Sequence, residues 1–130
     1  MRLAVLDASV GVKWFRDEPG TAEARGLLAA HGSGELEIVV ASAFIYEVMA
    51  VALRTPGIDP TDLWERFLAW RIRMRELDAP LMREMLGVSG RLGCSLYDAV
   101  APALAEEIGA ALYSADRRAH EEWPGVVLIG

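Results

Sequence analysis

SLYDAVAPALAEEIGAALYSADRR, residues 95–118, spells a helix and the strand that follows it. Ser95 stands where a side-chain oxygen accepts from the free N–H groups of a first helical turn, and Asp98 completes a capping-box pattern. Gly109 fits the C′ position, which favours left-handed backbone. Ala110–Tyr113 is then a short apolar run, as expected of a strand buried on both faces. The same alternation recurs outward from this unit. Leu3–Leu6 reads as a strand, Ser9–Phe15 as a short helix, and Thr21 as the cap of a helix to Ala30. Glu37–Ala41 reads as a strand, and Ser42 as the cap of a long apolar helix to Arg54. Asp59-Pro60 opens another helix, Glu76-Leu77 is expected as an edge strand, and Asp78–Leu92 as a further helix. Val126–Ile129 closes the set as a last strand. Strands alternating with helices imply an α/β class with a mostly parallel central sheet flanked by helices, in one domain over residues 1–130. Sheets of this kind bind ligands beyond the carboxyl ends of their strands, where the strand order switches. Asp7 and Asp116 follow two of those ends.

Composition narrows the setting. The chain is 53% hydrophobic and 25% charged, the balance of a globular protein. Its one cysteine, Cys94, has no internal disulfide partner, and Asp7 interrupts the opening MRLAVLD too early for an export signal, so the expectation is the cytoplasm. The charge-free run Ile38–Tyr46 is too short to span a bilayer. A net charge of −6 counts against a nucleic-acid partner. Against that, the arginines cluster at Arg71, Arg73 and Arg75, and again at Arg117 and Arg118. They read either as a basic rim around an acidic hole or as solvated faces.

Four carboxylates carry the chemistry. Glu47 sits in AFIYEVMAVAL, and its helical neighbours Ala43, Phe44, Ala50 and Val51 offer it no partner. Such an acid either reaches solvent at the helix edge or meets a cation, because an unpaired buried carboxylate is costly. Asp7, Asp98 and Asp116 each have a structural alternative, as a cap of the following turn or, for Asp98, the acid of the capping box. Together they converge on the carboxyl edge of the sheet, with Glu47 approaching from a helix. Carboxylates so gathered stay ionised only beside cations, and ligands without His or Cys suit Mg²⁺ or Mn²⁺ rather than Zn²⁺. Ser9 and Ser114, each two residues from an acid, either orient carboxylates or make ordinary turn hydrogen bonds. His31 and His120 are read as non-catalytic, and Cys94 as a buried small residue rather than a nucleophile. The chain has no P-loop, no GxGxxG and no zinc-ligand spacing. Aspartyl phosphoryl transfer is disfavoured because Ala8 and Ser9 stand where its second acid belongs.

AVLDASV, IYEVMAVALR, SLYDAVAPALAEEIGAALYSADRR and the tail PGVVLIG, in this order, resemble the PIN-domain ribonucleases of the VapC toxin family over essentially the whole chain. The resemblance implies Asp7, Glu47, Asp98 and Asp116 as the four site acids, with Ser114 where the family usually has threonine. It implies a Mg²⁺- or Mn²⁺-dependent endoribonuclease cutting RNA by attack of water to leave a 5′-phosphate, with Arg117 and Arg118 on backbone phosphate. It further implies a homodimer held inactive by a small antitoxin protein. Two departures stand out. Ala50 occupies a position where the family often has asparagine, which leaves open a PIN-like binding module of weak or no activity. Pro102 lies inside the Asp98 helix, where it removes a hydrogen bond to the Asp98 carbonyl and is expected to kink the helix.

Overall fold

A computed structural model describes residues 2–130. Five parallel strands form one sheet in the order β3-β2-β1-β4-β5, with β1 Arg2–Leu6, β2 Leu36–Ala41, β3 Arg73–Arg75, β4 Ala111–Ser114 and β5 Val127–Leu128. The chain runs outward from β1 to β2 and β3, then returns to the other side of β1 for β4 and β5. The order therefore switches between β1 and β4.

Residue alternation along the strands divides the core in two. Ala4, Leu6, Ile38 and Val40 face a layer holding Trp14, Phe44, Val48, Phe67 and Ile72. Val5, Val39 and Leu112 face the other layer, with Leu81, Met85, Val88, Ala99 and Leu104. The first layer is built from α1 (Ala8–Gly11), a 3-10 turn (Val12–Trp14), α2 (Thr21–Ser33), α3 (Ser42–Leu53) and α4 (Pro60–Trp70). The second contains α5 (Ala79–Leu92) and α6 (Leu96–Ile108), and α7 (Arg117–His120) follows β4. Gly11 lets α1 touch α3: a Cβ there would collide with the Phe44 ring and lie 2.9 Å from a Val48 methyl.

Most helix boundaries follow from their caps. The Asp59 carboxylate accepts from the Thr61 and Asp62 N–H groups, with Pro60 in the first turn. Asp78 accepts from the Leu81 N–H, and Gly93 ends α5 at φ +66°. Ser95 caps α6 and Gly109 ends it at φ +68°. Two expected caps fall differently. Thr21 and Ser42 are the first residues inside their helices, and the Thr21 hydroxyl instead bonds the Glu18 N–H and Arg16 carbonyl. α2 also runs on to Ser33, where Gly34 at φ +82° stops it, rather than ending at Ala30. The edge strand is Arg73–Arg75 and not Glu76-Leu77. The left-handed Arg71 ends α4 early enough for Arg73–Arg75 to pair with Val39–Ala41, and an Arg73–Glu37 ion pair at 2.8 Å joins the two strands. Among the described residues no helix is long and apolar enough to cross a membrane.

Candidate active site

Asp7 is the first residue beyond β1 and the N-cap of α1. Its Oδ2 accepts from the Ser9 backbone N–H at 3.0 Å and from the Ser9 hydroxyl at 2.6 Å. That hydroxyl also accepts from the Ala115 N–H at 2.9 Å. Ser9 thus orients the Asp7 carboxylate and ties it to the loop after β4, across the point where the strand order switches. Asp116 lies at the end of that loop as N-cap of α7, with Oδ1 accepting from the Ala119 N–H at 3.1 Å.

Glu47 projects from α3 at the margin of its buried Phe44–Val48–Ala52 stripe and is exposed, so it reaches solvent at the helix edge. Its carboxyl is nonetheless pushed up from 4.5 to about 6, chiefly by partial burial, then by the charges of Asp7 and Asp98, with the His120 ring opposing when charged. Asp7 and Asp98 therefore each lie close enough to Glu47 for their charges to act on it. The recess walled by Asp7, Glu47, Phe44, Tyr97 and Ala101 has a volume of about 10 Å³, room for one water-sized body.

Asp98 shows half of a capping box. Its N–H donates to the Ser95 hydroxyl at 3.1 Å, but among the described residues no bond returns from the Ser95 N–H to the Asp98 carboxylate. α6 runs unbroken through Pro102, and the carbonyl of Asp98 accepts instead from His120 Nε2 at 2.7 Å. His120 is 1% exposed, and its Nδ1 meets the Ser114 hydroxyl at 2.7 Å. Ser114 in turn accepts from the Asp116 N–H at 3.0 Å. Ser114 holds Asp116 by its backbone, the turn hydrogen bonding that was one of its two readings, and makes no hydrogen bond to the carboxylate. Sequence reading set His120 aside as non-catalytic and did not anticipate its bond to Asp98. The signal for it was Pro102, which obliges the Asp98 carbonyl to find a donor elsewhere.

The other candidates separate. Arg73 and Arg75, on the edge strand β3, are held in ion pairs with Glu37 and with Glu107 and Asp78. Arg117 and Arg118 are exposed directly after Asp116. His31 accepts from the Ile38 N–H through Nδ1 and donates from Nε2 to the Trp70 carbonyl, a staple between α2, β2 and α4. Cys94 is half-buried rather than buried, and desolvation and the Asp98 charge push its thiol up, which disfavours a thiolate. Beside the acids an apolar groove of about 310 Å³ runs past Tyr46, Leu77, Leu81, Met82, Leu96 and Tyr97. Tyr46 and Tyr97, each one residue before a site acid, are both 77% exposed.

The donor set is entirely carboxylate oxygen, and the mutual repulsion felt at Glu47 is what a hard cation would relieve. Among the described residues no three acidic, histidine or cysteine side chains lie close enough to hold an ion by direct contact alone. Only an ion that reaches these carboxylates partly through its own waters would suit such spacing.

No curated protein sequence matches the chain. Solved structures do. A toxin–antitoxin complex from Klebsiella pneumoniae is similar at TM-score 0.76 and 18% identity, with 95% of each chain covered. VapC20 of Mycobacterium tuberculosis, a toxin that cleaves the sarcin–ricin loop, is similar at TM-score 0.76 and 15% identity, covering 98% of this chain and 99% of that one. VapBC2 of Rickettsia felis, bound to a fragment of its promoter DNA, gives TM-score 0.73 and 14% identity over 97% of this chain and 96% of the other. At these identities the likeness is one of fold. The model of the PIN domain matches residues 4–122, from β1 past the last of the four acids, and the chain belongs to the PIN domain family.

Proposed function

We propose that this chain is a metal-dependent endoribonuclease that hydrolyses RNA phosphodiester bonds, and that it is the toxin of a toxin–antitoxin pair. The observation that carries the proposal is the Glu47 carboxyl, pushed up to about 6 by burial and by Asp7 and Asp98 at the switch in strand order. Asp7, Glu47, Asp98 and Asp116 would hold Mg²⁺ or Mn²⁺, in part through waters. Such an ion, when bound, supplies an acidified water and charge stabilisation at the leaving oxygen. Ser9 fixes the Asp7 carboxylate for this task. Arg117 and Arg118, exposed beside Asp116, would take backbone phosphate and offset locally the net charge of −6. The product would carry a 5′-phosphate.

The toxin role draws on the likeness to toxin–antitoxin complexes. A small antitoxin and a second copy of the chain are the proposed protein partners, and the apolar groove beside the acids offers one of them a surface. The proposed setting is the cytoplasm, which keeps Cys94 reduced. A second reading, a PIN-like binding module without cleavage, draws on Ala50 and on the acids' lack of close convergence. RNA cleavage by the pure protein decides between them. It should stop in EDTA and return with Mg²⁺ or Mn²⁺. Cleavage unaffected by chelator would overturn the mechanism, and no cleavage with any divalent ion would favour the binding module.

A further inference from the structure

We propose that His120 is a positioning residue: it replaces the helix hydrogen bond that Pro102 removes, and so holds Asp98 in register with Asp116. The inference rests on the reading of Asp98 and Asp116 as acids of the metal site.

In a regular helix the N–H of residue 102 would bond the carbonyl of residue 98. Proline has no N–H, and its ring crowds that carbonyl. Pro102 is buried, so water is a poor substitute. His120 Nε2 supplies the missing donor at 2.7 Å. The rest of the ring is equally committed. Its Nδ1 lies 2.7 Å from the hydroxyl of Ser114, which is 0% exposed. The Asp116 N–H donates to the same hydroxyl at 3.0 Å, and the His120 N–H returns to the Asp116 carbonyl at 3.0 Å.

These partners choose one proton arrangement. With Nε2 protonated and Nδ1 bare, Asp116 N–H donates to Ser114 Oγ, Ser114 O–H donates to Nδ1, and Nε2–H donates to the Asp98 carbonyl. Every donor and acceptor is then used once in one direction. With Nδ1 protonated instead, the Ser114 hydroxyl proton loses its acceptor and the Asp98 carbonyl loses its donor. Three hydrogen bonds thus connect the backbones of the third and fourth acids, although 18 residues of sequence separate them. His31 provides an internal comparison. It makes the same kind of two-nitrogen bridge, from Ile38 to Trp70, on elements that carry none of the four acids.

The test measures Mn²⁺ affinity by calorimetry on the full chain, with thermal melts beside it, for His120→Phe, His31→Phe, Pro102→Ala and the His120→Phe/Pro102→Ala double variant. Groups that orient metal ligands typically change affinity by about tenfold or more. His120→Phe should therefore weaken Mn²⁺ binding about tenfold, while His31→Phe lowers the melting temperature and leaves affinity unchanged. In the double variant the alanine that replaces Pro102 returns an N–H to the Asp98 carbonyl, and most of the lost affinity should return with it. A purely structural role would move the melts of both histidine variants and give no such rescue. Equal loss in the two histidine variants, no loss in His120→Phe, or no recovery in the double variant overturns the inference. If His120→Phe does not fold, ¹⁵N spectra of the unaltered protein decide. The Nε2–H tautomer at His120 is required, and the Nδ1–H tautomer refutes it. Unaltered protein that binds no Mn²⁺ overturns the nuclease reading and this inference together.

Discussion

Replacing Glu47 by glutamine should stabilise the metal-free protein while removing activity. The carboxyl titrates near 6 in the folded chain against 4.5 as the reference value. Below pH 4.5 both folded and unfolded states carry the proton. Between 4.5 and about 6 the unfolded chain releases it while the folded chain retains it, so stability falls as pH rises. Above that window the loss is complete. A shift of this size is worth about 2 kcal/mol at full strength. Solvent screens an exposed side chain, which leaves about 1 kcal/mol. Glutamine keeps the shape and removes the charge. At pH 7.5 in EDTA, Glu47→Gln should therefore melt about 4 °C above the unaltered protein, and the gap should close as the pH is lowered through the window. Adding Mn²⁺ should raise the melting temperature of the unaltered protein and leave the variant where it was. A variant that melts lower, or a gap independent of pH, would refute the argument that burial and the charges of Asp7 and Asp98 hold the proton on this carboxyl.

Three further outcomes are expected. Ser95→Ala should cost about 1 kcal/mol in chemical denaturation, because the Ser95 hydroxyl alone caps α6; Asp98→Asn should abolish cleavage with little loss of stability, and an Asp98→Asn protein that cuts at full rate would remove Asp98 from the site. Gly11→Ala should destabilise by about 1–3 kcal/mol, since the new methyl forces α1 away from Phe44 and Val48; an unchanged midpoint would show that the contact relaxes freely. Replacing Arg117 and Arg118 together by glutamine should weaken RNA binding and reduce its log-salt slope by about 1.4, the value for two phosphate contacts on a single strand, whereas an unchanged slope would leave both arginines as solvated surface.

Local signals were legible in the sequence where the physics is local. Asp59-Pro60, Asp78, Ser95, Gly93 and Gly109 mark helix ends through bonds made within a few residues, and the structure has caps and left-handed glycines there. The apolar runs of β1, β2 and β4 were legible because strands buried on both faces need such runs. β3 was not, because two of its three residues are arginines, and only pairing with β2 and the Arg73–Glu37 contact make it a strand. The same division holds at the site. Ser9 lies two residues from Asp7, and its contact with that carboxylate could be anticipated. The His120–Asp98 bond spans 22 residues. The residues next to His120 in sequence do not announce it, only the distant Pro102 does, and of the two readings of Ser114 the one realised is a turn hydrogen bond to the Asp116 N–H, with the histidine added.

The strand order also bears on how the protein is made. β1 is synthesised before the other four strands of the sheet and lies at its centre, yet its second neighbour, β4, is delivered only after about a hundred residues more. β1 and β2 have what they need to pair once residue 41 is available, but such a pair exposes the whole edge on which β4 will dock. Asp7 meets the Asp116 loop only when that edge closes, through Ser9 and Ala115. A ribosome that stalls between the codons for Glu47 and Asp98 therefore holds a chain that carries Asp7 and Glu47 and lacks Asp98 and Asp116. All four acids are present only once residue 116 has been made, and a partner that needs all four would have nothing to bind until then.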